Sequence, residues 1–284
     1  MYSANRAVKT FYYQLVPNVG DLLTGIIAKH MFNIELKWSK QRLCEFMGIG
    51  SILDLICVNN PTVILTRLKM NIKKLSTYIT PLNIWSSGFM RKPEEEFVSF
   101  YRKNISFTAV RGKLSQEIIE KIYIPIPNVV LGDAGLLASL LMKYPEKEYA
   151  IGIIPHYSEI YDPQAQKIME YYKNAKLIDV RENPMHVIKE IASCEVILSS
   201  SLHGLVIADS FHIPNQHIVF SDMFSWQEFK YRDYYSAYDL PHIFFDTRTS
   251  CDYPSINKII DDYQIRHGEV VTKQKQLIEC FPYQ

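Results

Sequence analysis

One stretch of the sequence decides the fold class, Val196-Ile-Leu-Ser-Ser-Ser-Leu-His203-Gly204-Leu-Val-Ile-Ala-Asp209-Ser-Phe211. It predicts a buried strand over 194–198 and, after three serines, an apolar helix over 202–211. His203 and Gly204 therefore lie where a strand ends and a helix begins, which is where open α/β sheets bind ligands. The N–H groups and partial positive charge of a helix start suit a phosphate or a carboxylate. His203 is expected either to exchange a proton there or only to cap and pack beside the helix.

The composition is that of a globular chain of 284 residues, 48% apolar and 21% charged, which suffices for one large domain or two smaller ones. The formal net charge of +1 provides no general field for nucleic acid or a membrane. Neither a transmembrane helix nor a secretory signal is predicted, because the apolar runs are short and interrupted by charges. The five cysteines have no CxxC spacing, which favours reduced thiols in a cytoplasmic protein over a zinc site or a disulfide framework.

Strand and helix patterns alternate along most of the chain, which predicts parallel sheets covered by helices on both faces. The predicted strands are 11–16, 46–50, 105–110, 129–131, 149–154, 175–180, 194–198 and 213–220. The predicted helices are 22–31, 114–122, 134–142, 163–174, 184–192, 202–211 and 269–280. The polar, proline-containing segment 143–148 predicts a domain boundary. We therefore expect an α/β fold with domains at 1–145 and 146–284 facing a cleft, and a last helix able to cross back to the first domain.

Glycines follow several of the predicted strands, where they allow the backbone to approach a ligand closely or to turn sharply. Gly20 precedes Asp21, which is a predicted helix cap, and Gly50 precedes Ser51. Gly88 follows two serines in a third segment of this kind. An ordinary capped turn is the alternative interpretation of each segment.

Three basic groups of residues suit an anion. Arg111 lies on the turn after a predicted strand, where its planar fork fits a carboxylate or phosphate, unless it forms a surface ion pair. Lys230 and Arg232 lie within 225–235, whose aromatic faces also suit a sugar ring, unless this is a surface helix with its aromatic side buried. The run 67–74 fits a diphosphate or an anionic membrane surface, although a solvated face is its commoner origin.

Six short motifs occur in a fixed order between about residues 11 and 240. They are Asn18-Val-Gly20-Asp21, Gly48-Ile-Gly50-Ser51, Trp85-Ser-Ser-Gly88, Val110-Arg111-Gly112, Leu131-Gly132-Asp133, and Ser199-Ser-Ser-Leu-His203-Gly204-Leu-Val-Ile-Ala208 with Pro214. Together they resemble the polysaccharide pyruvyl transferase family, and the Leu-His-Gly helix is the most specific of them. The segment Lys230-Tyr-Arg-Asp-Tyr-Tyr235 is similar to that family as well.

The resemblance implies two Rossmann-like domains facing a cleft, as in GT-B glycosyltransferases. It implies a transferase that moves pyruvate from phosphoenolpyruvate onto two sugar hydroxyls, forming a cyclic ketal in exopolysaccharide or capsule biosynthesis. It further implies that Arg111 and His203 serve the donor, with no metal and no further cofactor. Many members carry an arginine two residues before the histidine, where this chain has Ser201. The candidates to replace that arginine are Arg232, Lys230 and His156.

Such a transfer needs cations or N–H groups for two anionic groups, together with a general acid and a base. The predicted catalytic residues are His203 as the acid and Asp21 as a base. The predicted donor contacts are Arg111, Ser201, Leu202, Gly204, Lys230, Arg232 and His156. The predicted residues of the acceptor side and the cleft are Gly20, Gly50, Ser51, Gly88, Asp133, Tyr234 and Tyr235.

Two other functions fit parts of the sequence. A nucleotide-sugar-dependent glycosyltransferase would share the fold, with Glu182 as a candidate for binding a ribose. A non-catalytic polysaccharide-assembly protein would explain Ser201, but not the retained His203 and Arg111. For the transferase, the expected partners are phosphoenolpyruvate and a saccharide acceptor. A lipid-linked acceptor would bring a cytoplasmic protein to the inner face of the membrane.

Overall fold

The computed structural model describes residues 7–59, 80–93, 98–222 and 224–284, which form a mixed α/β structure with two parallel sheets. The strands are β1 (Val8–Thr10), β2 (Leu36–Trp38), β3 (Phe46–Met47), β4 (Cys57–Asn59), β5 (Leu82–Ser87), β6 (Val98–Phe100), β7 (Ile105–Val110), β8 (Val130–Leu131), β9 (Tyr149–Ile154), β10 (Ala175–Leu177), β11 (Cys194–Ser199), β12 (Asn215–Val219) and β13 (Phe244–Asp246). The basic run 67–74, in which the sequence suggested an anion or membrane contact, lies outside the described residues.

Helices connect most of these strands. They are α1 (Val19–Phe32), α2 (Lys113–Ile122), α3 (Pro163–Tyr171), α4 (Pro184–Ala192), α5 (Leu202–Ser210), α6 (Phe224–Ser236), α7 (Ile256–Asp262) and α8 (His267–Glu279), with 3₁₀ helices at Leu53–Ile56 and Ala134–Leu141. Within the described ranges, no helix combines the length and the apolar character needed to cross a membrane.

The strand order has the same form in both sheets. The first sheet runs β2-β1-β3-β5-β7-β8 and the second runs β10-β9-β11-β12-β13, while β4 and β6 form a separate antiparallel pair. Every pairing within the two larger sheets is parallel. In each sheet the second strand lies on one side of the first, and the third lies on the other. Such a reversal opens a crevice beyond the carboxyl ends of two neighbouring strands, here β1 with β3 and β9 with β11.

The central strands of the second sheet are apolar at nearly every position because both faces of the sheet are buried. Residues 151–154 of β9 and 196–199 of β11 are all buried, as expected for parallel strands covered on both faces. Helix α5 follows β11, and each of its residues is buried except His203. His203 therefore marks the one position at which α5 meets open space.

The amino-terminal region differs from the sequence prediction. The first strand is Val8–Thr10 and not 11–16, because Val8 and Thr10 are the residues that pair with β2 and point into the core. Helix α1 begins at Val19, earlier than predicted, and its N-cap is Asn18, whose side chain accepts a bond from the Asp21 N–H. The predicted capping role of Asp21 is thus wrong, and its carboxylate is not committed to the helix.

Helix α8 packs against elements of the first sheet. The indole Nε1 of Trp85 on β5 donates to the carbonyl of Leu277 at 3.0 Å, and Nζ of Lys273 donates to the carbonyl of Leu131 on β8 at 2.8 Å. Beyond the helix, the ring of Phe281 stacks on Phe32 of α1 with centroids 3.8 Å apart. The carboxyl-terminal segment therefore covers part of the core formed by β5 and α1.

A buried ion pair joins the end of β7 to α6. Nε of Arg111 lies 2.9 Å from Oδ2 of Asp233, and neither side chain has any exposed area. Asp233 also accepts bonds from the backbone N–H and the hydroxyl of Ser115 at the start of α2. The backbone of α6 comes so close that a Cβ on Gly112 would lie 1.7 Å from the carbonyl oxygen of Asp233. The structure therefore contradicts the alternative of a surface ion pair for Arg111. Helix α6 does have the buried aromatic side of the other alternative, because Tyr231 and Tyr234 are buried while Arg232 is exposed.

We expect Asp233→Asn to lower the free energy of unfolding by about 3–5 kcal/mol, because it leaves the Arg111 guanidinium buried without its counter-charge. The matched control is Asp239→Asn, which breaks the exposed pair between Lys113 of α2 and Asp239, three residues after the end of α6. An exposed pair contributes less than about 1 kcal/mol. Urea unfolding of the two variants checks this, and equal losses would show that burial of the Arg111 pair does not matter.

Candidate active site

One cavity of about 490 Å³ lies at the switch points of both sheets. Tyr13 and Asp21 reach it from the region after β1, and Ser51 reaches it from the loop after β3. His156 follows β9 and His203 follows β11 on the opposite wall, and Lys230 reaches the cavity from α6. The volume falls within the roughly 300–1,000 Å³ of small-molecule sites. Two crevices of the kind that bind ligands in α/β sheets therefore share one space.

His203 occupies the first turn of α5 at this cavity. Its side chain is 14% exposed, whereas Nε2 is buried and has no hydrogen-bond partner among the described residues. Gly20 of α1 lies directly against the ring, since a Cβ at Gly20 would be 2.0 Å from Nδ1. The N-cap of α5 is Ser201, whose side chain makes no capping bond and lines the cavity. The start of α5 thus offers the cavity a hydroxyl, an imidazole and the positive end of a helix.

Lys230 is a buried cation at the cavity wall. The residue is 5% exposed, and its Nζ donates to Oε1 of Gln227 at 2.6 Å. Burial lowers the pKa of Lys230 to about 7, the charge of Arg111 acts in the same direction, and Glu159 and Asp21 oppose them. A lysine in this condition gains strongly from an anion placed next to it.

Asp21 is an acidic group of the opposite wall, and Asp54 also lines the cavity. Burial raises the pKa of the Asp21 carboxyl to about 6, opposed by the side-chain amide of Asn18, which donates to Oδ2, and by the charge of Lys230. A carboxyl with a pKa close to neutral can both accept and release a proton at physiological pH.

The two histidines of the cavity are neutral at pH 7. Burial, with the charges of Lys230 and Arg111, lowers the pKa of His203 to about 3. Burial and the charge of Lys230 lower the pKa of His156 to about 3 as well. The ordinary pKa of histidine, 6.5, would let His203 exchange protons near neutral pH. With its pKa lowered to about 3, it does not do so in this state. It needs additional negative charge nearby to do so.

The predicted site residues differ in whether they reach the cavity. Seven of them line the cavity, namely Asp21, Ser51, His156, Ser201, Leu202, His203 and Lys230. Gly20 lies beside the Nδ1 edge of the His203 ring and leaves room for it. Asp133 is fully buried, with Oδ2 at 3.8 Å from Nε2 of His203, so that it reaches the histidine and not the cavity.

Arg111 and its neighbours lie just beneath the cavity surface. The guanidinium of Arg111 is fully buried, donating to Asp233, to the hydroxyl of Ser51 and to the carbonyl of Phe89. Gly88 packs against this guanidinium, where a Cβ would lie 2.5 Å from its central carbon. Gly50, with a φ of 130° that favours glycine, bridges to β5 beside the same group. In this state Arg111 acts on the cavity through Ser51 and through its charge.

Four other predicted residues do not reach the cavity. Arg232 is exposed, because it lies on the outer face of α6. Gly204 packs against the side chain of Ser199, and Tyr234 is buried with its hydroxyl donating to Asp209. Tyr235 lines a separate, smaller cavity beside β12. Helical periodicity places Arg232 and Tyr235 on other sides of α6 than Lys230, which adjacency in the sequence does not reveal.

Several residues of the site were not predicted from the sequence. Tyr13 and Tyr157 line the cavity, and the ring of Tyr157 lies 4.2 Å from that of His156. Glu159 accepts bonds from Ser200 and Ser221 and places a buried carboxylate behind Lys230. The run of aromatic residues before Asn18 was an available signal for Tyr13, but it was interpreted as a strand.

A cluster with the spacing of metal ligands occurs elsewhere in the described part of the chain. Oxygen and nitrogen atoms of Glu182, His186 and Glu190 approach one another on α4 and the turn before it. None of the three lines the cavity, and Nζ of Lys176 already neutralises Glu190 at 2.5 Å. Glu182, a candidate for binding a ribose, instead faces His186 at 3.4 Å.

We expect Lys230→Met to be more stable than the wild type at pH 6 by roughly 2–5 kcal/mol, because a buried ammonium is costly below its folded-state pKa of about 7. As the pH rises from 7 towards the ordinary lysine value of 10.5, the wild type loses this cost and the difference shrinks. Urea unfolding between pH 6 and 9 measures it. Lys167→Met, at an exposed lysine of α3, is the control, and a gain that is independent of pH would contradict a charge effect.

We expect Gly20→Ala to displace the His203 ring, because the added Cβ would lie 2.0 Å from Nδ1. Gly25→Ala is the matched control, since it lies in the same helix with no neighbouring atom within 4 Å. Histidine NMR spectra should show the His203 resonances shifted in the first variant only. Identical spectra for both variants would mean that Gly20 is not needed for the position of His203.

Comparisons with known proteins give a family match and a viral relative. A family model described as polysaccharide pyruvyl transferase matches residues 76–220, about half of the chain. The uncharacterized protein L143 of Acanthamoeba polyphaga mimivirus is 29% identical over 136 residues. This similarity covers 46% of the chain and 47% of the viral protein, so the chain spans about half the length of that curated relative. No solved structure matches.

The range matched by the family model contains β5 with its glycine turn, the Arg111 turn, Asp133 and the whole of α5. It thus includes His203 and Asp133, whose carboxylate faces the ring, whereas Gly20 and Lys230 lie outside it. The chain belongs to the polysaccharide pyruvyl transferase family.

Proposed function

We propose that the protein transfers pyruvate from phosphoenolpyruvate to two hydroxyls of a saccharide, forming a cyclic ketal in exopolysaccharide or capsule biosynthesis. In this proposal, residues 1–145 and 146–284 are two Rossmann-like domains of a GT-B-like arrangement, and the cavity between their switch points is the active site. No metal or further cofactor takes part.

The observation that carries the proposal is the position of Lys230. This buried ammonium lies at the same cavity as the start of α5, where Ser201 leaves its hydroxyl uncommitted. Phosphoenolpyruvate has a phosphate and a carboxylate, which need a cation and helix N–H groups. Lys230 takes the role that an arginine in place of Ser201 has in many family members. Arg111 contributes its charge from beneath and orients Ser51.

The negative charge of the donor raises the pKa of His203, so that His203 takes up a proton. Lys230 is the largest charge effect that holds the pKa of His203 down, after burial itself. A bound phosphate and carboxylate compensate that charge, so the pKa of His203 rises when the donor is present. His203 is then an acid only in the complex with the donor. The free enzyme therefore does not protonate other molecules that enter the cavity.

The reaction balances with two proton carriers. His203 protonates the methylene carbon of phosphoenolpyruvate, and the first sugar hydroxyl attacks C2 while its proton passes to Asp21. The second hydroxyl then displaces phosphate from C2, returning a proton to His203, and Asp21 gives its proton to the departing phosphate. The products are the ketal and inorganic phosphate. Such acid–base steps contribute on the order of 10² to 10⁴ in rate.

The acceptor side of the cavity is aromatic. Tyr13 and Tyr157 line it together with Asp21. Burial raises the pKa of the Tyr157 hydroxyl, and the charges of Tyr13 and Asp21 act in the same direction. A sugar ring packs its apolar face on such side chains, and its hydroxyls then face the carboxyl group. This supports Asp21 as the base for the acceptor.

We test the donor site by calorimetry with phosphoenolpyruvate. The wild type and Lys167→Met should bind it, and Lys230→Met should lose binding by at least about tenfold, as expected for a lost charge-assisted hydrogen bond. Adding Ser201→Arg to Lys230→Met should restore binding, because it returns the family arginine. Unchanged affinity in Lys230→Met would remove Lys230 from the donor site.

The same titration includes uridine and guanosine nucleotide-sugars, with and without a panel of acceptor saccharides. Nucleotide-sugar binding without phosphoenolpyruvate binding would make the protein a glycosyltransferase. Binding of saccharides alone would favour a non-catalytic assembly protein. Release of inorganic phosphate from phosphoenolpyruvate in the presence of a saccharide would support ketal transfer.

A further inference from the structure

Two buried polar atoms face each other without hydrogen-bond partners. Within the described residues, Oδ2 of Asp133 and Nε2 of His203 are both buried and unpartnered, and they lie 3.8 Å apart. Buried polar groups are nearly always hydrogen-bonded, so two adjacent exceptions call for an explanation. The other oxygen of Asp133 is occupied, because Oδ1 accepts the Gly135 N–H at 2.9 Å and caps the 3₁₀ helix.

The geometry of the ring restricts what the pair can do. Nε2 points into the protein towards Asp133, while the Nδ1 edge lies against Gly20 on the side of α1. A neutral imidazole has one N–H, so a proton held on Nε2 leaves the lone pair on Nδ1. The distance of 3.8 Å is too long for a hydrogen bond, but catalytic hydrogen bonds are often long before substrate binds and tighten in the complex.

We propose that Asp133 is a positioning residue, which accepts the Nε2 proton of His203 and thereby makes Nδ1 the nitrogen that handles the substrate proton. Its mechanistic part rests on the proposed pyruvyl transfer, whereas the tautomer assignment does not. Asp133 does not contact the acceptor in this scheme, because it has no exposed surface.

The electrostatic surroundings favour this arrangement over a simple packing contact. Lys230 from α6 and Arg111 from the end of β7 both disfavour a charged His203, and Asp21 from α1 lines the same cavity. Asp133 is the carboxylate within ion-pair distance of the ring. When the donor brings negative charge and His203 takes a second proton, Asp133 is therefore placed to stabilise the imidazolium.

Asp133→Asn separates this role from the capping role. The amide oxygen of asparagine can still accept the Gly135 N–H, but its NH₂ group replaces Oδ2 and can only donate to Nε2. The tautomer should therefore change to Nδ1–H, while the melting temperature changes little. Asp162→Asn is the matched control, because Asp162 caps α3 through the same contact to the N–H two residues later.

The first readout is the tautomer of His203, measured by long-range ¹H–¹⁵N NMR of histidine-labelled protein and assigned with His203→Gln. We expect Nε2–H in the wild type and in Asp162→Asn, and Nδ1–H in Asp133→Asn. Nδ1–H in the wild type, or the same tautomer in wild type and Asp133→Asn, would overturn the proposal. This readout requires no substrate, and if the variant does not fold, Nδ1–H in the wild-type spectrum alone would still overturn the proposal.

The second readout is turnover with phosphoenolpyruvate and a saccharide acceptor. Asp133→Asn should lower kcat by on the order of 10²–10⁴ while phosphoenolpyruvate still binds, as expected when a general acid has the wrong tautomer. Wild-type kcat in this variant would overturn the positioning role. A wild type that never turns over phosphoenolpyruvate but shows the expected tautomers would contradict the proposed function and leave the Asp133–His203 pair intact.

Discussion

The arrangement of the site depends on the buried ion pair between Arg111 and Asp233. Two charges without exposed surface are expensive to desolvate, and they are tolerated because hydrogen bonds from Ser115 and to Ser51 complete the network. The pair fastens α6 to the end of β7. Lys230 lies three residues before Asp233 on the same helix, so the network also sets where the cavity receives its cation. A structural salt bridge thus determines the electrostatics of a site that it does not itself line.

Burial of the ionisable groups of the cavity costs free energy, which a bound ligand of opposite charge would offset. Burial moves the pKa of Asp21 up to about 6 and that of Lys230 down to about 7, so that both groups titrate near neutrality. Perturbed groups collected in one cleft are typical of catalytic sites, and they rarely increase stability. His203 completes this pattern, because its basicity is suppressed by the same lysine that an anionic donor would neutralise. In the proposed function, the site becomes active in proton transfer only when the donor is bound.

Local signals in the sequence predicted much of the fold. The bounds of β7, β9 and α4 agree with the predictions to the residue, the last because Asn183 and Pro184 form an unambiguous helix start. The position of His203 between β11 and α5 was likewise predictable. The predictions that failed concern features that depend on residues far apart in the sequence. The pairing of Val8 with Leu36 decided which segment forms β1, and Arg111 meets Asp233 across 122 positions of sequence. No short pattern indicates that Tyr234 turns inward to Asp209 while Lys230 reaches the cavity.

The packing of α8 on the first sheet has a consequence for how the chain is made. Trp85 bonds to a carbonyl 192 positions later, and Phe32 stacks on Phe281. During synthesis on the ribosome, the first half therefore emerges long before the segment that covers its core. Its apolar surface stays open to chaperones or to aggregation until residues 267–281 have been translated. Contacts of such long range also slow folding, because the entropy of loop closure must be overcome first. The carboxyl-terminal segment thus completes the core of the first half only at the end of synthesis.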